Sequence, residues 1–78
     1  MREIPKPYER YRHFKGKDYQ IIATAKSADD LRDLVVYQGL YGNFEMYIRP
    51  YDMFMSKVDR EKYPNIKQEY RFEKVECL

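Results

Sequence analysis

The sequence predicts a mainly β fold, a small barrel of five or six short strands, and three observations lead there. Nine tyrosines and four phenylalanines with no tryptophan make 17% of the 78 residues aromatic, and ring side chains suit pleated, half-buried surfaces. Residues 19–26 alternate with a period of two, the signature of a strand with one face covered. Glycines and prolines punctuate the chain at short intervals, at Gly16, Gly39, Gly42, Pro50 and Pro64, where turns between strands would fall.

A chain of this length buries about 60 to 65% of its unfolded surface, enough for one core and not two. Apolar residues are 44% and charged residues 36%, a globular balance with no repeat or low-complexity tract. The expected organisation is an N-terminal arm over residues 1–10, a barrel over 11–58, and a C-terminal loop and extra strand over 59–78 belonging to the same domain.

Pro5 and Pro7 keep the arm out of regular structure, since each lacks an amide donor and restricts the residue before it. Tyr11 to Phe14 reads as a first strand, the Lys15-Gly16-Lys17-Asp18 turn follows, and Tyr19 to Lys26 is the second. Tyr19, Ile21, Ala23 and Ala25 form its expected core face, with Gln20, Ile22, Thr24 and Lys26 opposite. Ser27 to Asp33 is the loop of a long hairpin, because Leu34-Val35-Val36-Tyr37 arrives too soon for more than about one helical turn. Leu34 to Leu40 is the third strand and Phe44 to Arg49 the fourth, with Met46 and Ile48 expected inward and Tyr47 and Arg49 outward. Pro50 ends that strand and opens a helical turn over Tyr51 to Phe54. Met55 to Val58 then returns as a short fifth strand, and Glu69 to Val75 alternates imperfectly as a sixth at an open edge.

Three segments are distinctive in this order and spacing: Tyr-Arg-His-Phe-Lys-Gly at 11–16, Leu-Val-Val-Tyr-Gln-Gly-Leu-Tyr-Gly at 34–42, and Ile-Arg-Pro-Tyr-Asp-Met-Phe at 48–54. Together they closely resemble the small bacterial family catalogued as domain of unknown function number 1653, over roughly residues 8 to 58. The resemblance implies a Src-homology-3-like small barrel: five short, strongly bent strands with one helical turn before the fifth. It implies no activity, because the family carries no established one, and function must be argued from the residues.

The chemistry-bearing residues exclude several functions. The three glycines are isolated turn glycines, not a phosphate-cradling loop. One histidine and a single cysteine, Cys77, next to the C-terminus do not assemble a disulfide framework or the usual zinc and iron sets. No cofactor is expected, and no metal. His13 is the sharpest single residue, the one side chain whose ordinary pKa lies near neutrality. Two readings stay open for it: a general acid or base oriented by Asp52, or a histidine bonded to neighbouring backbone to fix the first strand. The other constellation is Arg12, Arg49, Tyr37, Tyr41, Tyr47 and Tyr51. Rotamer-poor phenols and forked guanidiniums suit recognition surfaces, and the same rings suit cross-strand packing.

The expected function is therefore a non-catalytic interaction module binding a peptide or protein segment beside the helical turn. The alternative is weak nucleic-acid binding, since residues 1–17 carry six bases against two acids, a net of +4. An enzyme or small-ligand binder using His13 is a third reading. No apolar run reaches the roughly 20 residues that span a bilayer, and the first residues lack the apolar core of a signal peptide. A cytoplasmic protein without a membrane partner is expected.

Overall fold

The computed structural model describes residues 2–75. Five strands and one helical turn follow in the order β1 (Arg10–His13), β2 (Asp18–Lys26), β3 (Asp33–Gly39), β4 (Met46–Pro50), α1 (Tyr51–Phe54) and β5 (Phe72–Lys74). All five strands are antiparallel neighbours in one sheet of order β4-β3-β2-β1-β5. The architecture is mainly β, as the aromatic content and turn spacing predict. The sheet is open, however: β4 and β5 are its two edges, and no ladder joins them.

The turns fall where the sequence places them. Gly16, at φ 99°, lets the chain reverse so that the His13 and Lys17 backbones bond at 2.8 Å, a conformation that favours a residue without Cβ. The loop between β2 and β3 closes with the Ser27 N–H donating to the Arg32 carbonyl at 2.8 Å. Pro50 ends β4 in an extended conformation and stands at the entrance of α1, where a missing amide costs no helical bond. The arm is tied down more than its prolines suggest. The Tyr8 N–H donates to the Ile21 carbonyl at 2.7 Å, and the Ile21 N–H donates to the Glu9 carbonyl at 2.8 Å. Pro5 is buried.

Register decides which side chains enter the core. Tyr11 pairs with Tyr19, Ile21 with Tyr37, Tyr37 with Tyr47, Val35 with Arg49, and His13 with Phe72. Paired residues share a face, so these side chains cover one face of the curled sheet, and that face holds the core. Its buried members are Tyr11, Ile21, Val35, Tyr37, Phe54 and Phe72. Their rings meet mostly edge to face, as at Tyr11 with Phe54, 5.5 Å between centroids, and Tyr37 with Phe54, 5.2 Å.

Two expected core faces are corrected. In β2 a bulge between Ile21 and Ala23 inserts one residue, so Ala23 pairs with Val36 and Thr24 with the buried Val35. A bulge reverses the alternation beyond it, and Ala25 is exposed. In β4 the register sets Tyr47 and Arg49, not Met46 and Ile48, on the core face. Tyr47 stacks on Tyr37 at 5.6 Å, while Ile48 is 65% exposed. A short edge strand offers either face to the core, and the aromatic stack outweighs the aliphatic rule that favours Ile48.

A third correction concerns the return after α1. Met55 and Ser56 still complete the helical turn, through N–H bonds to the Tyr51 and Met53 carbonyls. Only a single bridge, Lys57 with Tyr70, remains of the expected fifth strand at 55–58. It is flanked by the Arg71 N–H donating to the Ser56 carbonyl and the Val58 N–H donating to the Glu69 carbonyl. The fifth strand is instead Phe72–Lys74, within the span expected to hold a sixth. Cys77 lies outside the described residues.

The helical turn that follows β4 meets the β5 edge through rings. Phe54 of α1 lies flat on Phe72 of β5, with centroids 4.1 Å apart and planes 7° apart. Phe72 also touches Tyr19 and Tyr37. Phe72→Ala is expected to destabilise the protein by about 3 to 5 kcal/mol, the range for a fully buried phenylalanine. Urea unfolding followed by circular dichroism measures it, and a loss under about 1 kcal/mol would contradict the bridging role.

Candidate functional site

Below the packed core, the same face of the sheet opens into a cavity of about 200 Å³ lined by His13, Tyr19, Tyr37, Tyr41, Tyr47, Arg49 and Phe72. Every strand contributes to it, and Tyr41 comes from the connection between β3 and β4. Five of the seven residues singled out from the sequence therefore converge: His13, Tyr37, Tyr41, Tyr47 and Arg49.

The other two lie elsewhere. Arg12 is on the opposite face of β1, where its guanidinium grips the Asp18 carboxylate through contacts of 2.7 and 3.1 Å. Tyr51 packs partly buried at the entrance of α1 and lines a separate cleft of about 540 Å³ with Ile4, Thr24, Ala25, Lys26 and Asp33. That cleft is the groove beside the helical turn.

The rings of the cavity are committed to one another, and their hydroxyls keep part of their hydrogen-bonding capacity. Tyr19 meets Tyr37, Tyr41 and Tyr47 edge to face at 5.4 to 6.0 Å. The Tyr19 and Tyr41 hydroxyls lie 2.7 Å apart. Bonding to Tyr19 raises the Tyr41 phenol above its ordinary pKa, and bonding to Tyr41 raises that of Tyr47. On the other side, Arg49 Nε donates to the Tyr37 hydroxyl at 3.1 Å, leaving the Tyr37 proton free to donate. Gly39 makes the arrangement possible: a Cβ there would stand 3.1 Å from the Tyr41 ring.

His13 sits at the hinge between this cavity and a second one of about 320 Å³, which shares His13 and Arg49 and adds Lys15, Asp59, Lys62 and Arg71. The imidazole stacks on Phe14 at 4.4 Å and meets Phe72 edge-on at 4.9 Å. The Lys15 backbone N–H donates to Nδ1 at 3.1 Å, so the ring proton resides on Nε2. This is the backbone-bonded histidine of the second sequence reading. The expected orientation by Asp52 is not found: Asp52 is exposed and accepts from the Met53 N–H at 2.9 Å. Burial first, then the charges of Arg71, Arg49 and Lys15, push His13 down to about 4. Among the described residues no carboxylate lies within 4.0 Å of the imidazole.

Sequence reasoning missed Tyr19, Phe72, Lys15, Lys62 and Arg71. Tyr19 belongs to the alternating core face of β2 and gives no other sign. Arg71 and Phe72 reach the site only because β5 pairs with β1, a contact between residues about sixty positions apart. Among the described residues no group of three or more histidine, cysteine or acidic side chains could hold a metal ion.

Because the folded-state value of His13 lies below its ordinary 6.5, the unfolded chain binds an extra proton between about pH 6.5 and 4, and stability must fall as pH drops through that window. NMR titration of the ring is expected to give a midpoint near 4. His13→Gln is expected to flatten stability between those pH values. A ring midpoint near 6.5 would contradict the buried, cation-flanked environment.

The chain matches the family described as a protein of unknown function, DUF1653, over residues 9–74. The match takes in β5 and Arg71 as well as the three segments that carry the resemblance in the sequence. Comparison with the curated proteins and with the solved structures gives no match.

Proposed function

For this chain, which belongs to the DUF1653 family over residues 9–74, we propose a non-catalytic interaction module that binds a peptide or protein segment in the tyrosine-lined cavity. The observation that carries this reading is the convergence of five recognition-type side chains, His13, Tyr37, Tyr41, Tyr47 and Arg49, on one opening of the sheet. The opening lies between two strand edges without a hydrogen-bonded partner there, β4 and β5. A segment entering it meets phenol, guanidinium and imidazole donors on rigid strands, which lowers the entropic cost of binding. Its backbone carbonyls are acceptors of the right kind.

Nucleic-acid binding is the weaker reading on two geometric counts. Three of the six bases of residues 1–17 are engaged internally. Arg2 donates to the Met55 and Phe72 carbonyls and lies 3.9 Å over the Tyr70 ring, and Arg10 and Arg12 both face Asp18. The cavity tyrosines pack ring against ring, which takes up the faces that base stacking needs. The module reading also fits a bacterial, cytoplasmic protein with a Src-homology-3-like curl to its sheet. In that relation, α1 and the aromatic bridge stand where barrel closure would come.

Titration of isotope-labelled protein with a panel of short peptides and oligonucleotides tests the proposal. Peptides are expected to shift the amides of His13, Tyr47, Arg49 and Phe72, with loss of those shifts in a Tyr47→Ala, Arg49→Ala double variant. Shifts from oligonucleotides alone would replace this reading with the nucleic-acid one.

A further inference from the structure

The two cavities that share His13 and Arg49 hold an excess of hydrogen-bond donors and positive charge. Arg49 spends its Nε on Tyr37 and Arg71 spends its Nε on the Ser56 hydroxyl, at 3.1 and 3.2 Å. Among the described residues, the two terminal amino groups of each make no hydrogen bond. Among the described residues, neither guanidinium has a carboxylate within 4.0 Å, whereas Arg10, Arg12, Lys26, Lys57 and Lys74 do. The one acid lining the second cavity, Asp59, accepts from the Glu61 and Lys62 backbone N–H groups through Oδ1, and among the described residues no cation lies within 4.0 Å of its carboxylate. Lys15 and Lys62 line the same wall, over the Tyr63 ring at 5.4 and 5.7 Å.

The neutral groups add donors. His13 accepts at Nδ1 and so carries a donating Nε2–H. The Tyr19–Tyr41 hydroxyl contact uses one of that pair's two protons, and Tyr37 accepts from Arg49 with its own proton left over. One carboxylate against Arg49, Arg71, Lys15 and Lys62 leaves the lining net positive, and such a donor-rich set suits an acceptor that brings negative charge, because cations without an ion-pair partner around a partly buried ring repel one another. Guanidinium terminal amino groups engage planar carboxylates two bonds at a time.

We propose that these adjoining cavities form one oxyanion seat, centred on Arg49, His13 and Arg71, and that it takes a side-chain or terminal carboxylate of an acidic partner segment. The inference rests on the module reading above and gives its ligand a charge. One seat of this kind fits an isolated oxyanion better than a nucleic-acid backbone, whose regularly spaced phosphates need a track of free cations.

The experiment compares short peptides bearing glutamates with counterparts bearing glutamine, and adds a phosphoserine peptide, titrated into labelled protein at low and high salt. Glutamate peptides are expected to shift His13, Arg49, Arg71 and Phe72, and to bind about tenfold tighter than glutamine peptides. Their affinity is expected to fall by a similar factor in Arg49→Gln and in Arg71→Gln, each with an unperturbed spectrum elsewhere. In Lys26→Gln, which removes a charge from a different cleft, it stays within about twofold. Arg71→Gln guards against the case in which Arg49→Gln disturbs Tyr37 packing. Equal binding of the glutamine peptides at the same residues overturns the oxyanion seat and leaves the module. Tighter binding of phosphoserine peptides overturns the carboxylate assignment, and absence of shifts from every peptide overturns both.

Discussion

Phe54 on Phe72 is the contact on which the rest of the structure depends. A five-stranded sheet with two free edges would splay, and hydrogen bonds do not join β4 to β5. The flat stack at 4.1 Å ties the turn after β4 to the last strand, and Tyr37 and Tyr11 pack their edges against it. Each such aromatic pair contributes about 0.5 to 1.5 kcal/mol beyond simple burial. Residues 55–75 are therefore part of the same fold as the hairpins that precede them. Arg2 strengthens the seam, since one guanidinium bonds carbonyls on both sides of it, those of Met55 and Phe72.

The same constraint opens the candidate site. The rings bridge the sheet at one end of the core, and the other end of the face stays open, lined by the phenols of Tyr19, Tyr37, Tyr41 and Tyr47. A fully aliphatic core would have closed this space, and aliphatic side chains are few on this face: Ile21 and Val35 are its buried pair. Tyrosine serves both requirements, packing with its ring and hydrogen-bonding with its hydroxyl. His13 marks the boundary between the two uses, with its ring packed on Phe14 and Phe72 and its polar edge held by the Lys15 backbone.

The electrostatics follow from where the acids are. Asp18, Asp33, Glu9 and Glu69 neutralise cations on the outer face and the rim, and the cations around His13 have no such partner among the described residues. A net charge of +2 thus conceals a local imbalance.

Local features of the chain determined the strand-rich class, the turns at Gly16 and Pro50, the helical turn over 51–54 and the family, because propensity, alternation and turn chemistry act over a few residues. They also marked five of the side chains that meet in the cavity. Tertiary structure alone decided which face each strand turns inward, since the bulge after Ile21 reverses β2 and the register and the stack on Tyr37 set Tyr47 on the face that holds the core. It decided as well that Arg12 and Tyr51 stand apart from the site and that Arg71 and Phe72 belong to it. Those outcomes rest on the pairing of β5 with β1, a contact across about sixty residues, and no periodicity within either strand encodes its partner.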